Sequence, residues 1–356
     1  MINVTKTFLP PIEEYTLQLE RAWKKQWITN RGELIEELED KLKSHLSLPN
    51  IIITTNGTIP LQIALKLLGN QGEIITTPFS YVATSAAIVW ENCTPVFVDI
   101  HSDFLTIDET KIEAAITERT TAILATHVFG NPCAVEEIEK IAIKHNLKVI
   151  YDGAHAFGVF YKNQSLLSYG TVSTCSFHAT KLFHTGEGGA MITNDASLHE
   201  ALFYSHNFGH KDYVEFNGLG INGKASELQA AMGLSILPHF PHILEERKKV
   251  IQRYTDYLNF SGYKTFDLRP GTQWNYSYYP VIFNTEELLL NAFEKLNEQQ
   301  IFPRRYFYPS LNTIDYTKGN AMPISESIAA RIACLPLYVG LTPEQQDCII
   351  SILNSL

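Results

Sequence analysis

Lys181 lies between an apolar, strand-like run and a glycine-rich turn, Gly186-Glu187-Gly188-Gly189, in the segment SFHATKLFHTGEGGA (176–190). An amine so placed is a candidate for Schiff-base chemistry, although a lysine at a strand end is most often a solvated surface residue. That chemistry makes demands a lone lysine cannot meet. The amine must be desolvated, so that a neutral fraction exists near neutral pH. A phosphorylated, ring-bearing carbonyl cofactor needs in addition an anion site for its phosphate and a carboxylate for its ring nitrogen.

Residues of these types occur at suggestive places. Asp152 ends a buried β-run in VIYDGAHAFG (149–158). Charge at the end of a core strand costs several kcal/mol unless it is paired or hydrogen-bonded, and a capping role is the ordinary alternative. Facing a pyridinium nitrogen, the same carboxylate would keep the ring protonated and a good electron sink. Three residues on, His155 could hydrogen-bond a ring oxygen, or simply satisfy a loop. Asn56-Gly57-Thr58 sits between a strand and a helix, where free N–H groups, a hydroxyl and a glycine can form an anion site; a plain turn is the rival reading. Ser176 offers a second hydroxyl five residues before Lys181. Tyr81, just after a strand in PFSYVAT (78–84), could stack on a planar ring or pack in the core. HExxH, EF-hand, GxSxG and GxxxxGK[ST] patterns are absent, so zinc-protease, calcium, α/β-hydrolase and P-loop chemistries lack support.

The elements that must position these residues follow from periodicity. ELIEELEDKLKSHL (33–46) carries Leu34, Ile35, Leu38, Leu42 and His45 at helical spacing. IIITT (51–55) reads as a strand and IPLQIALKLLG (59–69) as a helix closed by Gly69. Strands are expected at 73–78, 94–100, 121–130 and 148–154, with helices at 81–93, 111–116 and 135–146. TVSTCSFHATK (171–181) and AMITND (190–195) read as paired strands around a polar turn. Such alternation argues for a mostly parallel sheet covered on both faces. A large domain over 1–240 and a smaller α+β domain over 241–356 are expected, with residues 1–32 a candidate to pack on the second. The latter should hold a linking helix at 242–259, a strand at 276–283 and helices at 287–301 and 343–356.

The net charge of −10 disfavours nucleic acid and acidic membrane surfaces as partners, without forbidding an anionic substrate at a locally positive site. No apolar run approaches the roughly 20 residues that span a bilayer. The first residues lack a basic stretch followed by an apolar core, so a cytoplasmic location is expected. The five cysteines are scattered, with neither CxxC nor zinc-like spacing, and read as reduced thiols; no metal site is expected.

In order and spacing the segments NGT (56–58), PFSYVAT (78–84), HVFGNP (127–132), YDGAHAFG (151–158), SFHATK (176–181), EGGA (187–190) and GLGINGKASELQAAMG (218–233) resemble the DegT/DnrJ/EryC1/StrS sugar aminotransferases. The likeness runs from TNRGELIEELEDKL (29–42) to ACLPLYVGLTPEQQ (333–346). It implies the α/β fold of type I pyridoxal-phosphate enzymes, with a mostly parallel seven-stranded sheet and a smaller α+β domain. It also implies pyridoxal 5′-phosphate as cofactor, a nucleotide-linked keto-sugar and L-glutamate as substrates, and a homodimer with shared active sites.

By this resemblance Lys181 is the Schiff-base lysine and Asp152 the partner of the ring nitrogen. His155 lies near the ring oxygen, Tyr81 stacks on the ring, and Gly57, Thr58 and Ser176 meet the phosphate. Asn222 matches an asparagine that reaches the neighbouring subunit's cofactor, although Asn222-Gly223-Lys224 stands where the family commonly has Asn-Tyr-Arg. By position, Asn30, His184, Arg305 and Tyr306 are candidate substrate residues. Relatives that dehydrate carry histidine where this chain has Lys181, so transamination is expected. FHATK and EGGA look most like the enzymes that aminate C4 of dTDP-4-dehydro-6-deoxyglucose, a step toward surface polysaccharide or glycosides. Amination at C3, a regulator of the same fold without turnover, and a Rossmann-type nucleotide binder remain as alternatives; the last lacks GxGxxG after its first strand.

Overall fold

Short β-branched runs flanked by turns form the strands of one central sheet in the computed structural model, which describes residues 1–259 and 261–356. Across the sheet the strands are Ile52–Thr54, Gly189–Ile192, Val172–Ser176, Lys148–Asp152, Thr120–Thr126, Glu73–Thr76 and Thr94–Phe97. Every neighbouring pair is parallel except the two made by Gly189–Ile192, which runs antiparallel to both its neighbours. The fold is therefore α/β, with the seven-stranded, mostly parallel sheet that was expected. The inner strands are buried along nearly their whole length, which is why they read as continuous apolar runs rather than alternating ones.

The helix Glu33–Leu46 buries Leu34, Ile35, Leu38, Leu42 and Leu46 on the face its spacing predicted, and His45 packs against Phe157 and Phe240. Its amino terminus has no local cap, because Gly32 carries no side chain. The buried carboxylate of Glu227 supplies the acceptor instead, taking hydrogen bonds from the backbone N–H groups of Gly32 (3.0 Å), Leu34 (2.8 Å) and Ile35 (3.2 Å). Glu227 itself opens the helix Glu227–Ile236, whose own cap is a reciprocal Ser226–Gln229 pair.

A second body is built on the three-stranded antiparallel sheet Tyr263–Lys264, Pro280–Phe283 and Ile332–Cys334. The helix Phe240–Tyr257 joins the two bodies. Its Phe240 and Ile243 enter the core under the large sheet, while Val250, Ile251 and Tyr254 enter the core of the second body. The first residues also divide between them. Ile2–Asn3 pairs with Ile301–Phe302, whereas the helix Ile12–Lys25 packs on Glu227–Ile236 of the large body. The strand expected at 276–283 is confined to Pro280–Phe283, because Tyr276 takes a left-handed conformation (φ 55°). Among the described residues, no helix is long and apolar enough to cross a membrane and no His/Cys/Asp/Glu group is arranged for a metal.

Removing the Glu227 carboxylate strands three backbone donors, two of them buried. Glu227→Ala is expected to lower unfolding stability by about 3 kcal/mol, and Glu227→Gln by less. Urea unfolding measures it, and a loss under about 1 kcal/mol for the alanine variant would contradict this capping role.

Candidate active site

The parallel strands end along one edge of the sheet, the edge at which open α/β sheets bind ligands. From that edge the chain presents Asn56–Thr58, Tyr81, Asp152–His155 and Ser176–Lys181, and the second body adds Tyr278, Arg304, Tyr306 and Phe307. Together they line one cavity of about 250 Å³.

Asp152 closes its strand with the carboxylate buried. Thr84 Oγ1 donates to Oδ2 (2.7 Å) and the Ala154 N–H donates to Oδ1 (3.1 Å). Behind Thr84 a run of hydroxyls continues through Ser80 (2.7 Å) to Thr126 (3.0 Å from Ser80). No basic side chain among the described residues forms an ion pair with Asp152. Burial raises its pKa, and the two hydrogen bonds and the more distant Lys181 charge only partly offset that. The carboxylate is thus held in place but short of positive charge, which suits a protonated ring nitrogen.

Lys181 follows the strand Val172–Ser176, and its backbone N–H donates to His178 O (2.8 Å). Its Nζ lies 3.3 Å from the Tyr278 hydroxyl. Burial lowers its pKa, against weaker raising influences from Tyr306, Asp152, Cys175 and Tyr81. Burial thus shifts Lys181 toward the neutral amine that covalent chemistry needs. His155 accepts a hydrogen bond at Nδ1 from the Phe129 N–H (3.1 Å), which assigns its ring proton to Nε2. Burial and the Lys181 charge push its pKa far down, so it is a neutral donor. Tyr81 is 54% exposed, an aromatic face open on the cavity.

At the other end, Gly57 is required by a close approach. A Cβ there would lie 2.7 Å from the Ser176 Cβ, so only glycine lets this turn close against the Ser176 strand. Gly189 has the same role opposite, where a Cβ would stand 2.3 Å from the Asn56 carbonyl oxygen. The donors expected to be free at this helix terminus are occupied. Asn56 Oδ1 accepts from the N–H groups of Thr58 (2.9 Å) and Ile59 (3.0 Å), and Pro60 has no N–H. The Thr58 and Ser176 side chains still line the cavity.

Of the four candidate substrate residues, only Tyr306 lines this cavity, its pKa pushed up to about 12 by burial. His184 is buried with both ring nitrogens engaged, Nε2 with the Phe8 carbonyl (2.7 Å) and Nδ1 with the Gly186 N–H (3.2 Å). It braces the chain rather than meeting a substrate. Arg305 turns away to Glu286 (2.7 Å) and the Ala330 carbonyl and lies over Tyr308. Arg304 faces the cavity instead, exposed, stacked on Tyr306 at 4.8 Å and without a carboxylate partner among the described residues. Asn30 and Asn222 are exposed and outside the cavity of their own chain. Tyr278 and Thr84 were not singled out for these roles from sequence. Only Thr84, one helical turn after Tyr81, carried a readable signal.

A profile of the DegT/DnrJ/EryC1/StrS aminotransferase family matches residues 12–354. The chain is 40% identical to a dTDP-4-amino-4,6-dideoxy-D-glucose transaminase of Escherichia coli, over 96% of this chain and 95% of that one. It is also 40% identical to the protein of the same name from Shigella dysenteriae, over 100% and 99%. The solved structure of DesI in the presence of its TDP-sugar product superposes with a TM-score of 0.94 at 30% identity, covering 99% of this chain and 92% of that one.

The raised Asp152 pKa has a consequence for stability. The folded chain holds this proton more tightly than the unfolded chain, so the group's contribution is full below the ordinary carboxyl range. It falls as pH rises through the window up to the raised value. Asp152→Asn removes that cost. At pH 7 the cofactor-free variant is expected to unfold at the same or higher urea concentration than the parent, while its catalytic rate falls by about 100-fold or more. Marked destabilisation with retained activity would contradict both statements.

Proposed function

The chain belongs to the DegT/DnrJ/EryC1/StrS aminotransferase family, and from that premise we propose that it transfers the amino group of L-glutamate to C4 of dTDP-4-dehydro-6-deoxyglucose, giving dTDP-4-amino-4,6-dideoxyglucose. It is a sugar aminotransferase of the pyridoxal-phosphate type. The C4 reading is supported by the two transaminases of that name, each 40% identical over nearly the full chain. The observation that carries the chemistry is one cavity holding a half-buried amine, a buried carboxylate with no ion-pair partner among the described residues, and an open tyrosine face.

The residues fit the cofactor. Asp152 would meet the ring nitrogen, His155 Nε2–H the ring oxygen, and Tyr81 the ring face. The hydroxyls of Thr58 and Ser176 and the backbone at Gly57 would meet the phosphate, with Asn56 giving up the donors it now occupies. Pyridoxal phosphate, when bound, supplies an electron sink for negative charge developing at the carbon that carries the amine. Lys181 then acts as the base, taking a proton from the α-carbon of glutamate and delivering one to the sugar carbon in the reverse half of the cycle. Asp152 holds a proton on the ring nitrogen through both halves. His155, Phe307 and Tyr278 wall the cavity with packed rings and limit water. Arg304 offers a guanidinium to a substrate carboxylate or diphosphate.

The active form is a homodimer in this reading, with Asn222 serving the cavity of a second copy. Its exposure and its absence from the lining of its own cavity support that assignment.

The test is direct. Purified protein with ¹⁵N-glutamate and dTDP-4-dehydro-6-deoxyglucose is expected to give a sugar with ¹⁵N on C4 by NMR, and Lys181→Ala is expected to give none. Nitrogen appearing only on C3 of a 3-keto substrate would overturn the C4 assignment, and full activity of Lys181→Ala would overturn the mechanism.

A further inference from the structure

The Lys181 amine is hydrogen-bonded to the hydroxyl of Tyr278, which precedes the strand Pro280–Phe283 of the other body of the protein. The chain leading to it is fastened with unusual care. Trp274 Nε1 donates to the Phe129 carbonyl (2.7 Å), and Ser277 Oγ donates to the same oxygen (2.8 Å). Asn275 Nδ2 donates to the carbonyls of His155 (2.8 Å) and Phe157 (2.9 Å). From the joining helix, Arg247 donates to the carbonyls of Tyr276 (2.9 Å) and Ser277 (2.6 Å). Asn275, Ser277 and Arg247 are all buried. These bonds hold Tyr276 in a left-handed conformation that costs roughly 1–2 kcal/mol for a side chain of its kind. The result fixes the Tyr278 ring between His155 (4.7 Å), Phe129 (5.5 Å) and Tyr306 (5.6 Å).

We propose that Tyr278 is a further catalytic residue, whose oxygen accepts a hydrogen bond from the Lys181 nitrogen and so aims and strengthens that amine as a base. This rests on the aminotransferase reading and adds to it a residue and a role. With one N–H given to Tyr278, the lone pair of the neutral amine is left free to take a proton. As Lys181 takes that proton, the C–H electron pair stays with the substrate carbon and the nitrogen becomes an ammonium. The ammonium donates to the same oxygen, and such charge-assisted bonds are about twice as strong as neutral ones. Tyr278 thus stabilises the charged form of Lys181 more than the neutral form. Burial keeps the Tyr278 hydroxyl protonated, so it does not compete as an anion. The other titratable groups around Lys181 are Asp152, Tyr306, Cys175, Tyr81 and His155, and none of them is hydrogen-bonded to its nitrogen.

Tyr278→Phe removes one oxygen and keeps the ring. The first readout needs neither cofactor nor sugar: competitive acylation of the full-length, cofactor-free protein across pH, with the Lys181 peptide quantified by mass spectrometry. The midpoint for Lys181 is expected to fall by about half a pH unit or more in the variant. The second is the rate of the glutamate half-reaction in the loaded protein, followed by cofactor absorbance. It is expected to fall by about 10- to 100-fold with KM within about twofold and bound cofactor retained. An unchanged labelling midpoint, or a rate within twofold of the parent, overturns the role. So does a loss that merely follows lost cofactor or a lowered thermal transition. A parent protein that takes no amine from glutamate would instead defeat the aminotransferase reading, and the labelling result would still stand for Tyr278.

Discussion

A carboxylate is buried in this fold with no ion-pair partner among the described residues. Asp152 ends a parallel strand in the interior of the sheet edge, and the groups that touch it are a threonine hydroxyl and one backbone amide. Taking a carboxylate out of water costs several kcal/mol, and hydrogen bonds of this kind return only part of that. The deficit is the organising constraint of the site. A positive charge of fixed position would remove it, and in the proposed reading a protonated ring nitrogen would supply one. The other groups of the cavity sit where such a ring would need them: an amine under Tyr278, a neutral imidazole donor, an exposed tyrosine face, and two hydroxyls beside a glycine turn.

The two bodies meet at this site. The large sheet supplies Asp152, His155, Ser176 and Lys181, while the second body supplies Tyr278, Arg304 and Tyr306. Catalysis by proton transfer depends on sub-ångström placement of the amine. The chain meets that need with hydrogen bonds from Trp274, Asn275 and Ser277 to carbonyls of the large body, while Arg247 of the joining helix holds the same segment. Burial pushes the pKa of Lys181 down and that of Asp152 up, both toward the neutral state. Each group is thereby prepared to gain from the chemistry rather than from its partner in the fold.

Much of this architecture was legible in the sequence, for physical reasons. Strands buried on both faces read as unbroken β-branched runs, and the helix Glu33–Leu46 showed its buried face at helical spacing. The helix Glu227–Ile236 was harder to see. It is apolar almost all round because it packs against two other helices, so no amphipathic period marks it, and only its Ser226–Gln229 cap betrays it. The residues expected to hold a cofactor could be picked out because they lie at or just beyond strand ends, and the structure gathers Gly57, Thr58, Tyr81, Asp152, His155, Ser176 and Lys181 around one cavity. The substrate side was not readable, since it depends on which way adjacent side chains point. Arg304 and Arg305 are neighbours, yet one faces the cavity and the other is spent on Glu286. Tyr278 is 97 residues from Lys181, in a run with two other tyrosines, and nothing local distinguishes the one that meets the amine.

The central claim is that the cavity around Asp152 and Lys181 is a cradle for pyridoxal phosphate. It is tested most directly by loading the cofactor-free protein with pyridoxal phosphate, reducing with borohydride, digesting, and locating the label by mass spectrometry. The account predicts one phosphopyridoxyl group per chain, on Lys181. A label confined to surface lysines, or none at all, would contradict it.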